Sequence, residues 1–268
     1  MKKWKMAVVG KDVSRSLSPK MHTFLMHNLG EECEYDTVSL SEEAFAASAP
    51  ALLEKYDAVN VTIPYKLSVI PFLKTIEGDA KVFGAVNTVD TSSRTGYNTD
   101  GAGFMLLLEN AGVFVAGKSV LVLGTGGVGR SVIKKLTDGG ARVSAFDLNR
   151  ESLRAVHAEF PDFAPLSQIK NEPYDVIVNC TGVGMHRTEG VSPVGSDLLR
   201  LCGTAVDLIY VPAESEFLRL ARLEGKKTVN GESMLFYQAY YSDCIYLKRE
   251  PSAAEAKRLY EKYKEEIR

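Results

Sequence analysis

Over the first hundred positions the apolar residues fall in short β-branched runs, Lys5 to Val9, Ala58 to Ile63 and Ala85 to Val89, separated by stretches of helical spacing. That alternation predicts α/β units on a largely parallel sheet. The helix expected over Ser18 to Leu29 carries its own punctuation, with Ser18 to cap it, Pro19 at the first helical position and Gly30 beyond the end. In Val59-Asn60-Val61-Thr62-Ile63 a period of two puts Asn60 and Thr62 on one face and the three apolar residues on the other. Pro64 stops that strand. Lys66 therefore stands just past its carboxyl end, the edge of an open α/β sheet where ligands bind.

A second series begins at Ser119. The pattern predicts a strand over Val120 to Leu123, a glycine-rich turn, a helix to about Gly139 and a strand over Arg142 to Asp147, with further strands at Val176 to Asn179 and Ala205 to Leu208. This is the layout of a nucleotide-binding fold placed after a first domain. Near the far end Ala256, Leu259, Tyr260, Tyr263 and Ile267 fall at helical spacing between Lys and Glu, a stripe that needs something to pack against.

Gly124-Thr125-Gly126-Gly127-Val128-Gly129 fits G-x-G-x-x-G directly after an apolar strand and at the start of a helix. Gly124 permits the tight turn, Gly126 lets a pyrophosphate approach the backbone, and Gly129 lets helix and strand pack closely, with the anion facing the helix N-terminus. Asp147 follows Gly126 by 21 positions, at the end of the next strand. A carboxylate there accepts hydrogen bonds from ribose hydroxyls and repels a 2′-phosphate, so NAD is favoured over NADP, although Arg150 is close enough to take such a phosphate. Asp147 as a helix cap is the structural alternative.

The 268 residues are 45% hydrophobic and 25% charged, with a formal net charge of −2. That is the make-up of a globular protein of two modest cores, with no basic field to draw it to nucleic acid or anionic lipid. The early apolar run, Met6 to Val9, is too short for a signal segment, and no segment is long enough to span a bilayer. Four scattered cysteines and four histidines show no zinc spacing. The expectation is a reduced cytoplasmic protein with no metal, acting on a small molecule.

In the first domain, Ser14-Arg15-Ser16-Leu17-Ser18-Pro19 places hydroxyls at a helix start, which suits either capping or a small anion. Gly84 to Val89 and Gly96 to Gly101 flank a polar turn and predict a hairpin with amides and a carboxylate at its ends. Asp100 there either caps the next helix or joins Lys66 and Asn87. Those three supply what carbonyl reduction requires: a proton donor, a carboxylate to hold it, and an amide to orient hydroxyls.

In order along the chain stand S-x-S-P, N-V-T-x-P-x-K, G-A-x-N-T, N-T-D-G, the glycine loop, N-x-T and a late G-x-x-M-L-x-x-Q. The chain thereby resembles the shikimate dehydrogenase family. The resemblance implies a two-domain α/β protein: an N-terminal substrate domain (residues 1–101 plus 235–268, the last helices returning to it) and a Rossmann-type doubly wound NAD(P)-binding domain (102–234). It implies reversible reduction of 3-dehydroshikimate to shikimate, with Lys66 and Asp100 as the catalytic pair. Ser16 and Ser18 would hold the substrate carboxylate, and Thr62, Asn87, Asp100 and Gln238 the ring hydroxyls. The cofactor would meet Gly124, Gly126, Gly127, Val128 and Gly129, with Asp147, Asn149 and Arg150 at the adenosine side and Thr181 toward the nicotinamide. Tyr210, Gly231 and Met234 would close the cleft.

Some positions depart from the family pattern. Phe146-Asp147-Leu148 precedes Asn149-Arg150 where an Asn-Arg-Thr sequence is more usual, which resembles the NAD-using quinate/shikimate branch; Ser215 stands for a frequent threonine. Quinate is accordingly an alternative substrate, and a ligand-sensing regulator without turnover is the alternative of another class. The family contains monomers and homodimers.

Overall fold

The computed structural model describes residues 3–267, the side chain of Ile267 excepted; Met1 and Lys2 lie outside the described residues. The chain divides into two compact units, one formed by the residues up to Gly103 together with Phe236 onward, the other by Phe104–Leu235.

The first unit runs β1 (Trp4–Gly10), α1 (Ser18–Asn28), β2 (Cys33–Ser39), α2 (Glu42–Lys55), β3 (Ala58–Val61), β4 (Thr75–Ile76), α3 (Asp79–Phe83), β5 (Thr88–Asp90) and β6 (Thr95–Tyr97). Its six-stranded sheet has the order β2-β1-β3-β5-β6-β4. The pairs β1/β2, β1/β3 and β4/β6 are parallel, whereas β3/β5 and β5/β6 are antiparallel, the latter being the hairpin expected around the polar turn. Val59 and Val61 face an apolar core with Ala7, Val9, Phe45 and Leu53, while buried Asn60 points the other way. The alternation stops there. Ile63 is 67% exposed, because the ladder ends at Val61 and the chain turns before Pro64.

Helix α4 (Asp100–Asn110) leads into the second unit, which contains β7 (Ser119–Leu123), α5 (Gly127–Asp138), β8 (Arg142–Phe146), α6 (Arg150–Glu159), β9 (Ala164–Pro165), β10 (Tyr174–Asn179), α7 (Ser196–Leu199), β11 (Cys202–Asp207), α8 (Glu216–Leu223) and β12 (Lys227–Val229). These strands make a wholly parallel sheet in the order β12-β11-β10-β7-β8-β9. Helices on both faces explain why Val120 to Leu123 reads as an unbroken apolar run. The strand order reverses at β7, between β8 and β10, and the glycine loop leaves β7 at that switch point.

Helix α9 (Glu232–Tyr246) brings the chain back to the first unit, where α10 (Ala253–Ile267) follows. The expected stripe is buried: Tyr263 meets the rings of Phe24 and Phe236, and Tyr260 those of Phe236 and Tyr237. Its fifth member, Ile267, lies outside the described side chains. All four cysteines are free, and among the described residues no helix is long and apolar enough to cross a membrane.

Candidate active site

Lys66, Asn87 and Asp100 come from three separate segments and converge. Lys66 Nζ donates to Asp100 Oδ2 at 2.5 Å, with the two side chains only 13% and 8% exposed. The other carboxylate oxygen, Oδ1, accepts from Asn87 Nδ2 at 2.9 Å. Asp100 is the first residue of α4, but its carboxylate is spent on this cluster rather than on capping; Asn98 Oδ1 takes the Asp100 N–H instead. Asn87 is held in one orientation because its Oδ1 accepts from the Thr99 N–H at 3.0 Å and from the Thr88 hydroxyl at 2.7 Å. Its Nδ2 also lies 3.4 Å from Gln238 Oε1, so α9 contributes to the same cluster.

Two members were not singled out from the sequence. Thr99 accepts from Asn87 Nδ2 at 3.0 Å, and Ser242 lies 2.7 Å from the Thr88 hydroxyl and 3.2 Å from that of Thr99. Ser242 follows Gln238 by one helical turn on α9, a spacing that puts both on one face and was readable in advance.

At the start of α1 the expected roles of the serines differ in detail. Leu17, not Ser18, is the N-cap residue, and Ser16 Oγ accepts the Ser18 N–H at 3.2 Å. Ser18 is thus the first helical residue and is nearly buried, while Ser16 is half-buried. Thr62 lies one residue past β3, where a β-carbon on Gly10 would come within 2.6 Å of its methyl group.

In the second unit, Gly124 adopts φ +93°. A β-carbon on Gly126 or Gly127 would meet nothing within 4 Å, so the space above the loop is open. Helix α5 begins at Gly127 with no side chain capping it, and its first N–H groups are left to attract an anion. These features fit the pyrophosphate of a dinucleotide. Thr181 is tied to Asn179 Oδ1 through both its N–H (3.0 Å) and its hydroxyl (2.6 Å). Asn179 Nδ2 in turn donates to Asp207 Oδ1 at 3.0 Å, and Ser215 donates to Asp207 Oδ2 at 2.5 Å. Burial pushes the Asp207 carboxyl up to about 6 against those donors. Tyr210 is half-buried, with its phenol pushed above the usual range by burial. Met234 is buried, and Gly231 passes so near Leu208 that a β-carbon would fall 2.1 Å from its carbonyl oxygen.

The matching family model is the shikimate dehydrogenase substrate binding domain, over residues 8–89. A shikimate dehydrogenase (NADP(+)) of Carboxydothermus hydrogenoformans is 35% identical over 248 residues, which covers 86% of this chain and 87% of that protein. This chain belongs to the shikimate dehydrogenase family. A second curated shikimate dehydrogenase (NADP(+)), from Methanococcus maripaludis, is 34% identical over 262 residues and 92% of each chain. Among solved structures, the shikimate 5-dehydrogenase of Thermus thermophilus in complex with NADP(H) and shikimate superposes with a TM-score of 0.85 at 31% identity, covering 96% of this chain and 98% of that one. The two-domain architecture with a Rossmann-type domain is that of these family members.

The family relatives correct the cofactor expectation. Asp147 favours NAD on sequence spacing alone, yet the curated relatives are named for NADP(+). The structure supplies the reason. Asp147 Oδ2 accepts from the Thr125 N–H at 2.6 Å and its hydroxyl at 2.8 Å, and Oδ1 accepts from the Asn149 N–H at 2.8 Å. The carboxylate is occupied in pinning the glycine loop to the start of α6, not presented to a ribose. Nor is it the cap of α6, since Asn149 Oδ1 accepts the Glu151 and Ser152 N–H groups. Arg150 lies over the Phe146 ring and donates to the Leu166 and Ser167 carbonyls, and exposed Arg154 follows one turn later. Arg150 is held by those bonds, and exposed Arg154 is the cation on α6 suited to a 2′-phosphate.

Proposed function

We propose that this chain is an NADP-dependent shikimate dehydrogenase, reversibly interconverting shikimate and 3-dehydroshikimate, with Lys66 as the acid–base group. The observation that carries the proposal is the Lys66–Asp100–Asn87 cluster. It holds the Lys66 amine just past the end of a strand, almost out of water, by a carboxylate that is itself held.

The bound nicotinamide supplies or takes up the hydride at the ring carbon. In the direction of reduction the Lys66 ammonium gives a proton to the carbonyl oxygen as that oxygen gains charge; in oxidation neutral Lys66 Nζ takes the proton back from the alcohol. Asp100 holds Nζ in line for this transfer, while Asn87, itself held by Thr99, keeps the carboxylate from turning. Ser16 and Ser18 hold the substrate carboxylate at the start of α1, and Thr62 and Gln238 take ring hydroxyls. Gly124 to Gly129 bind the pyrophosphate, with Asn149 and Arg150 at the adenosine end. A regulator without turnover has no use for a held amine of this kind.

The test is a steady-state assay of the purified protein with shikimate and with quinate, each against NADP and NAD. The proposal requires the highest kcat/KM for shikimate with NADP. Dominance of quinate would overturn the substrate assignment, and absence of turnover in every pairing would overturn the activity.

A further inference from the structure

Asn87 is held by more than its bond to Asp100. Its Nδ2 carries two hydrogens: one goes to Asp100 Oδ1 at 2.9 Å and the other to the Thr99 hydroxyl oxygen at 3.0 Å, with Gln238 Oε1 a longer alternative at 3.4 Å. Its Oδ1 accepts from the Thr99 N–H at 3.0 Å and from the Thr88 hydroxyl at 2.7 Å. Between the Thr88 and Thr99 hydroxyls stands Ser242 Oγ, 2.7 Å from the first and 3.2 Å from the second. All four residues are buried, Thr88 and Ser242 completely, so these groups must satisfy one another.

Each hydroxyl has one proton to give, and that fixes the direction of every bond. Thr88 gives its proton to Asn87 Oδ1, since two oxygens 2.7 Å apart with no proton between them repel. The equally short Thr88–Ser242 contact therefore takes its proton from Ser242. The Gln238 carbonyl oxygen, 2.9 Å from Ser242 Oγ, competes for that proton, but giving it there would leave the Thr88–Ser242 contact without one. Ser242 Oγ then remains as an acceptor. It receives the Thr99 proton at 3.2 Å, a shorter path than to Asn87 Oδ1 at 3.3 Å or Gln238 Oε1 at 3.5 Å. The bonds close into a ring, from Asn87 Nδ2 to Thr99, Ser242, Thr88 and back to Asn87 Oδ1, with every donor pointing the same way round. In such a chain each bond polarises the next.

We propose that Ser242 is a positioning residue for the acid–base pair: by closing this ring it locks the plane of the Asn87 amide, which aims the other Nδ2 hydrogen at Asp100 Oδ1 and leaves Oδ2 on Lys66 Nζ. The inference rests on the proposed function, in which Lys66 moves the proton. Ser242 touches no reacting atom and acts through Thr88 and Asn87. Without its hydroxyl Thr88 loses a donor, and the Thr99 proton turns toward Asn87 Oδ1 or Gln238 Oε1. The amide is then less firmly fixed, while the pocket keeps its shape.

The test uses Ser242→Ala, Thr88→Val and the double variant, each assayed with shikimate and NADP at a temperature where melting curves show it folded. Each single substitution removes one hydroxyl of the ring with little change of volume. The expected result is a kcat lowered about five- to tenfold in each, with the KM for shikimate and for NADP within about twofold of the unsubstituted protein. As both break the same ring, the double variant should be little worse than the worse single one. Should Ser242→Ala not fold, the loss of kcat at constant KM in Thr88→Val decides the matter. A lowered Tm with unchanged kcat would mean that the ring merely ties α9 to the hairpin, and losses that multiply in the double variant would mean that the hydroxyls act separately. Either overturns the inference, while shikimate turnover by the unsubstituted protein leaves the proposed function standing. No turnover by the unsubstituted protein would overturn both.

Discussion

Gly129 packs so tightly beneath Gly124 that a β-carbon on the former would lie 2.2 Å from the carbonyl oxygen of the latter. Gly126, three residues earlier, faces open space. The two glycines therefore fail in different ways. Gly129→Ala should force helix and strand apart, costing about 1–3 kcal/mol and lowering Tm. Gly126 has φ −65° and ψ −170°, which alanine adopts without strain, so Gly126→Ala should leave Tm nearly unchanged while raising the KM for NADP at least about tenfold. Thermal melts beside NADP titrations separate the two; a Gly126→Ala protein with normal NADP affinity would remove the loop from the cofactor site.

Lys66→Ala should lower kcat by about two to four orders of magnitude, with a smaller change in the KM for shikimate. Asp100→Asn should also lower kcat, because an amide no longer holds the amine as a charged partner. As the two side chains act as one unit, the double variant should be little worse than the worse single one. Additive losses in a steady-state comparison would show that they act separately.

Asp147→Ser should weaken NADP and NAD together, by about tenfold each, because the lost hydrogen bonds are those that pin Thr125 and Asn149. The ratio of kcat/KM for the two cofactors should stay nearly constant. A ratio shifted strongly toward NADP would mean that the carboxylate does face the 2′ position.

The Asp207 carboxyl is raised from 3.8 to about 6 by burial. The folded state binds this proton more tightly than the unfolded state, so the group's stabilising contribution is complete below about pH 4 and is lost as pH rises through about 6. Asp207→Asn lacks that titration. The difference in Tm between the variant and the unsubstituted protein should therefore move in the variant's favour, by a few degrees, between about pH 4 and pH 7. A difference that stays flat across that range would place the carboxyl at an ordinary value.

Much of this was legible because it depends on local rules. The apolar run Val120 to Leu123 before Gly124 specifies a buried strand and a tight turn within ten residues, and the helix at Gly127 follows. The hairpin carrying Asn87 and Asp100 was equally local. What escaped was the employment of polar atoms that could serve two purposes. Asp147 stands at the spacing of a ribose acceptor, but a carboxylate at a strand end satisfies loop N–H groups equally well, and nothing in residue order distinguishes the two. Ser18 reads as a cap, yet Ser16 takes the N–H. Tyr35 stacking on His22 and Ser242 meeting Thr99 join residues 13 to 143 positions apart, contacts that no periodicity reports.

The return of α9 and α10 to the first unit has a consequence for how the protein is made. Phe24 packs on Phe236 and Tyr263, His22 on Asp243, and Asn87 on Gln238, so the N-terminal sheet emerges from the ribosome long before the residues that finish it. The whole of Phe104–Leu235 is synthesised in between, and at about 5–20 residues per second that leaves the first sheet's apolar surface uncovered for roughly 7 to 26 seconds. The unit inserted in the middle of the chain is the first able to fold to completion. Catalytic competence thus arrives last, and a chain released with Leu235 as its final residue would hold every residue of the nucleotide-binding unit while its acid–base cluster lacked Gln238.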